Sequence, residues 1–373
     1  MTEPRVWLRR AATRDFRNLE KVDLDLPEAG LALIGENGHG KTNLLEAIYY
    51  LQILRSVRGA RDQDLVRFGT RGFHIALAVR THGDHDLGVG FDTSGKRKRV
   101  THDGLALPRM SDAFGGLPSV MFSPRDIQLI AGAPGERRRY LDLVLALTSR
   151  KYLLALQQYR ASLLQRNAAL REAIRHPDRE DAVAAWEPAL AESGATIFCE
   201  RTEWVANHAA EFARICTAIG EEGEQRMTYR TSLPRDTEPR EALTASLQRQ
   251  RSTDIRRGMT HSGPHRDDLH LTLNDRDLRA FGSAGQQRTA AIALRMLEAA
   301  TLRSEVGLQP LLLLDDPFAE LDLRRSARIL ALLDSEGLGQ TILAVPRESD
   351  IPPELLSLER AQIRSGNVVR TES

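Results

Sequence analysis

The most specific chemistry in this chain is carried by one short run, Gly35, Glu36, Asn37, Gly38, His39, Gly40, Lys41 and Thr42, with Asn43 following. The run fits the pattern of a glycine, four free positions and then Gly-Lys-Thr, a loop whose backbone N–H groups cradle phosphates. Each residue type answers a physical need. Glycine lets the backbone curl around an anion, the Lys41 ammonium bridges β- and γ-phosphates, and the Thr42 hydroxyl ligates Mg2+. The apolar run LALI precedes the loop and the amphipathic run KTNLLEAIYYLQIL follows it, so the loop opens a helix whose N-terminus adds positive potential. The implied ligand is ATP with Mg2+. A glycine turn that caps an ordinary helix is the simpler alternative.

Two carboxylates stand at the end of a second apolar run, Leu311 to Leu314, where open α/β sheets gather ligand-binding residues. This is a Walker B arrangement, although a strand ending in an acidic turn is common. Asp315 would hold Mg2+ through water, and Asp316 would orient or deprotonate the attacking water. Ser283, Ala284, Gly285, Gln286, Gln287 and Arg288 lead into the helical run TAAIALRMLEAA, ahead of Asp315. They resemble the signature loop of ABC ATPases, in which Ser283 and the Gly285 N–H, with Gln286 beside them, meet the γ-phosphate held by the opposite subunit. An ordinary serine cap competes with that reading. Ala319-Glu320-Leu321-Asp322 reads as a D-loop-like turn, and Asp322 also reads as the cap of the helix beginning LRRSARIL. The catalytic set is thus Lys41, Asp316 and Ser283, and the metal set Thr42 and Asp315.

These residues need an α/β scaffold, a P-loop head lobe of ABC type with an inserted, mainly α-helical second lobe. At 373 residues, of which 41% are hydrophobic, the chain exceeds one core and has enough apolar side chains for two. Strand-like runs fill the first third. From about Arg137 the apolar period lengthens, with Leu153, Leu156, Tyr159, Leu163 and Leu170 on one helical stripe and Trp186, Leu190, Ile197, Trp204 and Phe212 on another, broken near Pro177. Strand-like DLHLTL at 268–273 then resumes the α/β pattern. The expected division is 1–135 with 258–373 for the head and 136–257 for the arm.

Lysine plus arginine total 52 against 51 acidic residues, which excludes a uniformly basic nucleic-acid coat and leaves room only for local patches. Lys96, Arg97, Lys98 and Arg99 on a hairpin, and Arg137, Arg138 and Arg139 at the arm's start, are candidate DNA contacts. A solvated charged face, or ion pairs within the arm, would account for them equally. His265 and Arg266 either approach the nucleotide or form a turn. Cys199 and Cys216 are too far apart for a CxxC pair and read as buried structural thiols. MTEPRVWLRR lacks a signal-peptide pattern and no apolar run reaches the ~18 residues of a membrane helix, so a cytoplasmic protein with no membrane partner is expected.

Across nearly its whole length the chain resembles the RecF family. DFRNLEKVDLDLP, GENGHGKTNLLEAIYYL, RSVRGARDQDLVRFG, MFSPRDIQLIAGAPGERRRYLD, SGPHRDDL, GSAGQQR and LLLLDDPFAELD carry the resemblance, in the family's order. It implies an ATP-dependent homodimer that binds gapped or double-stranded DNA, works with RecO and RecR, aids RecA loading, and is linked to replication-fork maintenance and the SOS response. Slow hydrolysis is expected, because Asp316 is a methylene shorter than the glutamate of fast ABC motors. A transporter ATPase subunit and an ATP-binding adaptor without DNA contact are the alternatives.

Overall fold

The computed structural model describes residues 4–176, 180–234, 236–318, 321–337 and 339–370. The chain forms two compact units, Met1–Asp126 with Leu294–Ser373 and Ile127–Ala293. Strands β1 (Trp7–Phe16), β2 (Leu19–Asp25), β3 (Gly30–Ile34), β4 (Gly72–Arg80), β5 (Asp84–Asp92), β6 (Arg97–His102), β7 (Leu105–Ala106) and β8 (Ser119–Phe122) come first. The second unit contributes β9 (Gln225–Arg230), β10 (Asp268–Leu273) and β11 (Arg276–Asp277). The first unit then resumes with β12 (Leu311–Asp315), β13 (Thr341–Val345), β14 (Glu359–Arg364) and β15 (Asn367–Arg370).

Two six-stranded sheets build the first unit. The antiparallel one, β2-β1-β4-β5-β6-β7, shows the alternation of a sheet with unlike faces, as in GFHIALAVR of β4. The other, β15-β14-β3-β13-β12-β8, is parallel except at β15. Its inner strands GLALI, TILAV and LLLLD are buried almost throughout, as apolar runs covered on both faces must be. Register places Ile34 beside Val345 and Ala344 beside Asp315. The loops after β3 and β12 therefore leave the same edge, about 10 Å apart across β13.

Helix α1 (Lys41–Ile53) follows β3 and buries most of its residues, so its apolar composition reflects a helix covered on several sides. The second unit holds α2 (Pro134–Thr148), α3 (Arg150–Arg175), α4 (Glu187–Ile219) and α5 (Pro239–Arg257). The break expected near Pro177 lies outside the described residues. Helix α6 (Ala284–Val306) begins in the second unit and ends in the first, and α7 (Leu323–Ser335) follows β12. The second unit reaches beyond the 136–257 insertion read from sequence. β10 pairs with β9 rather than with the parallel sheet, and both pack on arm helices, so DLHLTL belongs with the arm.

Arm helices are joined by buried ions as well as apolar stripes. Arg166, fully buried on α3, donates to Asp254 at 2.8 Å, Thr260 at 2.8 Å and Glu187 at 3.0 Å. Arg201 on α4 reaches Asp142 at 2.7 Å, Tyr152 at 2.9 Å and the Pro264 carbonyl at 2.8 Å. Cys216 is buried as expected, whereas Cys199 is exposed on α4, because its place on the helix faces away from the apolar stripe. Among the described residues no helix is long and apolar enough to cross a membrane.

Arg166→Met leaves the fully buried Asp254 without its arginine and Glu187 with Arg251 alone. Such a loss costs about 3–5 kcal/mol, and urea denaturation followed by helical circular dichroism should show a clearly lower midpoint. An unchanged midpoint would mean the buried triad contributes nothing to the arm.

Candidate functional site

The loop between β3 and α1 is shaped by three glycines. A Cβ on Gly35 would lie 2.5 Å from the Ile363 carbonyl oxygen, so no larger residue fits. Gly38 and Gly40 hold φ at 84° and 112°, backbone that other residues adopt only under strain. Gly40 is the N-cap of α1 and brings no side-chain acceptor, so no cap side chain occupies the first-turn donors. A helix start of this kind suits an anion.

Lys41 is buried beside this loop. Its Nζ donates to the Gly35 carbonyl and, at 3.0 Å, to the Glu36 carbonyl. Burial pushes its pKa down, with Asp315 and Asp316 opposing the shift. An ammonium that burial disfavours gains from an anionic ligand, which is the electrostatic condition for holding phosphates. Thr42 Oγ1 donates to Asp315 Oδ1 at 2.9 Å. Burial raises the Asp315 pKa while the Thr42 hydrogen bond lowers it. A hydroxyl and a carboxylate converging there are the hard oxygen donors that Mg2+ takes. Asp316 sits at φ 47°, its N–H donating to the Ala344 carbonyl at 2.9 Å, so a left-handed residue turns the chain immediately after β12.

Sequence reasoning missed the residues that hold this loop in place. Glu46, fully buried on α1, accepts from Arg17 at 2.7 Å, Arg58 at 2.9 Å and Ser56 at 2.5 Å. Arg58 also donates to Asn43, Asn43 to Asn18 at 2.7 Å, and Asn18 to the Gly38 carbonyl at 3.2 Å. A hydrogen-bonded path thus runs from a buried carboxylate to the phosphate loop. Asn43 and Glu46 lie on α1 and the other members in the segments DFRNLEKV and RSVRGARD, and the one available signal was a glutamate inside an otherwise apolar helical face.

Other candidates are placed elsewhere. Ser283 and Gln286 lie in the second unit and form a reciprocal cap on α6, the Ser283 N–H donating to Gln286 Oε1 at 2.9 Å and the Gln286 N–H to Ser283 Oγ at 3.2 Å. Gly285 stands in that first turn. Asp322 caps α7 through the Arg325 N–H at 2.8 Å, while Ala319 and Glu320 lie outside the described residues. Arg137 is buried and forks onto Asp268 at 2.8 and 2.9 Å, Arg138 donates to the Asp267 carbonyl at 2.8 Å, and Arg139 pairs with Glu136 at 2.6 Å. Arg137 and Arg139 are thus ion-paired within the arm, whereas Arg138 is held by a backbone carbonyl. Lys98 pairs with Asp62 at 2.7 Å, whereas Lys96, Arg97 and Arg99 are exposed. His265 forms part of a turn, accepting from Tyr159 at Nδ1 (2.6 Å) with Nε2 on the Thr260 carbonyl (3.1 Å), and Arg266 is exposed beside it.

No family model matches the chain. It is 33% identical to the DNA replication and repair protein RecF of Roseiflexus castenholzii, over 97% of this chain and 99% of that protein. A solved structure of the recombination mediator protein RecF with ATP, in the RecFOR pathway, matches at TM-score 0.91 and 29% identity, covering 100% of this chain and 99% of that one. The Smc head domain of Pyrococcus furiosus, with an extended coiled coil and bound to the C-terminal domain of ScpA, matches at TM-score 0.56 and 16% identity over 98% and 96% of the two chains. That last likeness concerns the fold alone.

The two hydrogen bonds of His265 fit a neutral ring, and burial pushes its pKa from 6.5 to about 4. Below the ordinary value an unfolded chain binds a proton that the folded chain refuses. This contribution to stability is therefore complete above about pH 6.5 and lost as pH falls toward 4. Urea melts at about pH 7 and about pH 5 should show wild type losing roughly 2 kcal/mol more than His265→Gln. Equal losses would contradict a neutral buried imidazole.

Proposed function

The chain belongs to the RecF family of DNA replication and repair proteins, and on that premise we propose that it is an ATP-binding recombination mediator with an ABC/SMC-type head. The observation that carries this reading is the meeting of Thr42 and Asp315 at 2.9 Å beside an uncapped, glycine-lined helix start. ATP with Mg2+ supplies the transferable phosphoryl group and its neutralising charge. The chain's own residues do the rest. Backbone N–H groups of Gly35 to Asn43 seat the phosphates, Lys41 balances their charge, and Thr42 and Asp315 hold the metal. Asp316 orients the attacking water from the turn after β12, and its short side chain suits slow hydrolysis.

Two copies complete the site. Ser283, Gly285 and Gln286 stand exposed or partly exposed at the start of α6, available to the γ-phosphate held by a partner copy. ATP favours the dimer because that contact exists only in the closed state. The dimer associates with gapped or double-stranded DNA, works with RecO and RecR toward RecA loading, and does so in the cytoplasm. Exposed Lys96, Arg97 and Arg99 are the phosphate contacts that remain available on their hairpin.

Three substitutions test this. Lys41→Met removes a charge-assisted contact of roughly 1.5–3 kcal/mol, so calorimetry should show ATP affinity lower by about one to two decades. Unchanged affinity would sink the phosphate role of Lys41. Ser283→Arg should leave monomer ATP binding intact and abolish ATP-induced dimerisation in sedimentation, together with retention of gapped DNA in gel shifts. Ser283→Asp keeps a good helix cap while setting a negative charge against phosphate, so it should fail in the same way without loss of α6 stability. If both variants dimerise with ATP as wild type does, the shared site is wrong.

A further inference from the structure

The corner of the antiparallel sheet carries a second donor cluster, unrelated to the phosphate loop. β6 and β7 are joined by Asp103-Gly104, with φ of 50° and 77°, the double left-handed geometry of a tight hairpin turn. Leu87 pairs with His102 across β5 and β6, and His85 stands two residues before Leu87. The period of two puts both imidazoles on one face, where buried Val89, Val100 and Leu87 give way to partly exposed His102 at the corner. The rings lie with centroids 4.9 Å apart.

Asp103 is fixed between them. Its Oδ1 accepts the Asp86 N–H at 2.8 Å, and its own N–H donates to the Asp86 carbonyl at 2.8 Å. That leaves Oδ2 facing His85 Nδ1 at 3.0 Å and His102 Nδ1 at 3.4 Å. One ligating atom from each of the three residues falls within 4.8 Å of the others. Nitrogen and oxygen ligands about 2.0–2.2 Å from a tetrahedral zinc ion are separated by roughly 3.3–3.5 Å. Two edges of the cluster already lie near that spacing, and the turn that presents the carboxylate is held by backbone hydrogen bonds.

We propose that His85, His102 and Asp103 form a binding site for a divalent transition-metal cation of the zinc class. Two imidazoles and one carboxylate select such ions over Mg2+, which prefers oxygen donors, so this site and the Thr42–Asp315 pair take different metals. Three protein ligands leave the remaining coordination to water. A bound cation would tie β5 to the β6–β7 turn and stabilise this sheet edge.

Titration of the full-length chain with zinc chloride, in buffer already containing excess Mg2+, tests the site by calorimetry. Wild type should bind one more equivalent than the His85→Gln/His102→Gln double variant, and its thermal midpoint should rise with zinc while the double variant's rises less. Asp103→Asn, which tolerates the left-handed turn, should weaken that equivalent by at least ~10-fold. Both histidines are partly exposed, so the metal-free variants should melt as wild type does. Cobalt should give visible ligand-field bands in wild type that the double variant lacks. Equal stoichiometry and affinity in wild type and double variant, or no zinc binding by wild type, would overturn the proposal.

Discussion

The hydrogen bond from Thr42 to Asp315 joins the ends of two strands that are not neighbours. β13 lies between β3 and β12, and Thr42, on the first turn of α1, spans that width. Everything else in the site follows from keeping α1 at that angle. Gly35 must stay small against the Ile363 carbonyl, Gly40 must turn left-handed, and the buried Glu46 must keep Arg17 and Arg58. Burying a carboxylate is costly unless it is paired and hydrogen-bonded, so those arginines are part of what lets α1 pack so deeply.

Buried charge recurs through both units with one difference. Arg166, Arg201 and Arg137 in the second unit are all paired with carboxylates inside it. In the first unit, Arg295 pairs with Asp126 at 2.7 Å and Glu298 at 2.6 Å. Asp126 and Arg295 stand next to the two points where the chain passes between units, so one ion pair ties both crossings together within the first unit. Lys41 differs in donating to backbone carbonyls rather than to a carboxylate. Structural cations are neutralised by carboxylates of the chain, whereas Lys41 meets only carbonyl dipoles, which leaves its charge uncompensated by a neighbouring hydrogen-bonded carboxylate.

The geometry of the glycine-lined loop was legible in the sequence because it is local. Gly35 to Thr42 are contiguous, and the geometry they need follows from glycine φ angles and a helix start. The apolar runs of β3 and β12 were legible for a similar reason, since a parallel strand covered on both faces has no alternation to disguise it. The Ser283–Gln286 cap is also local, a serine and a glutamine three positions apart, and it was visible only as a serine cap without its reciprocal partner.

Tertiary structure decided what depends on partners distant in sequence. Arg137 could be read as a DNA contact until Asp268, on a strand of the same unit, accepted from its Nε and Nη2 and backbone carbonyls took its Nη1. DLHLTL looked like a return to the head, yet hydrogen bonding to β9 assigned it to the arm. The corner formed by His85, His102 and Asp103 exists only once β5 and β6 are in register. The sequence by itself determined the glycine-lined loop and helix start, the buried strands and the family, because short-range backbone geometry and hydrophobic period are written in neighbouring residues. Which charges pair, and which side chains share a surface, was decided only by folding, because Coulomb and hydrogen-bond energies depend on distance in space and not along the chain.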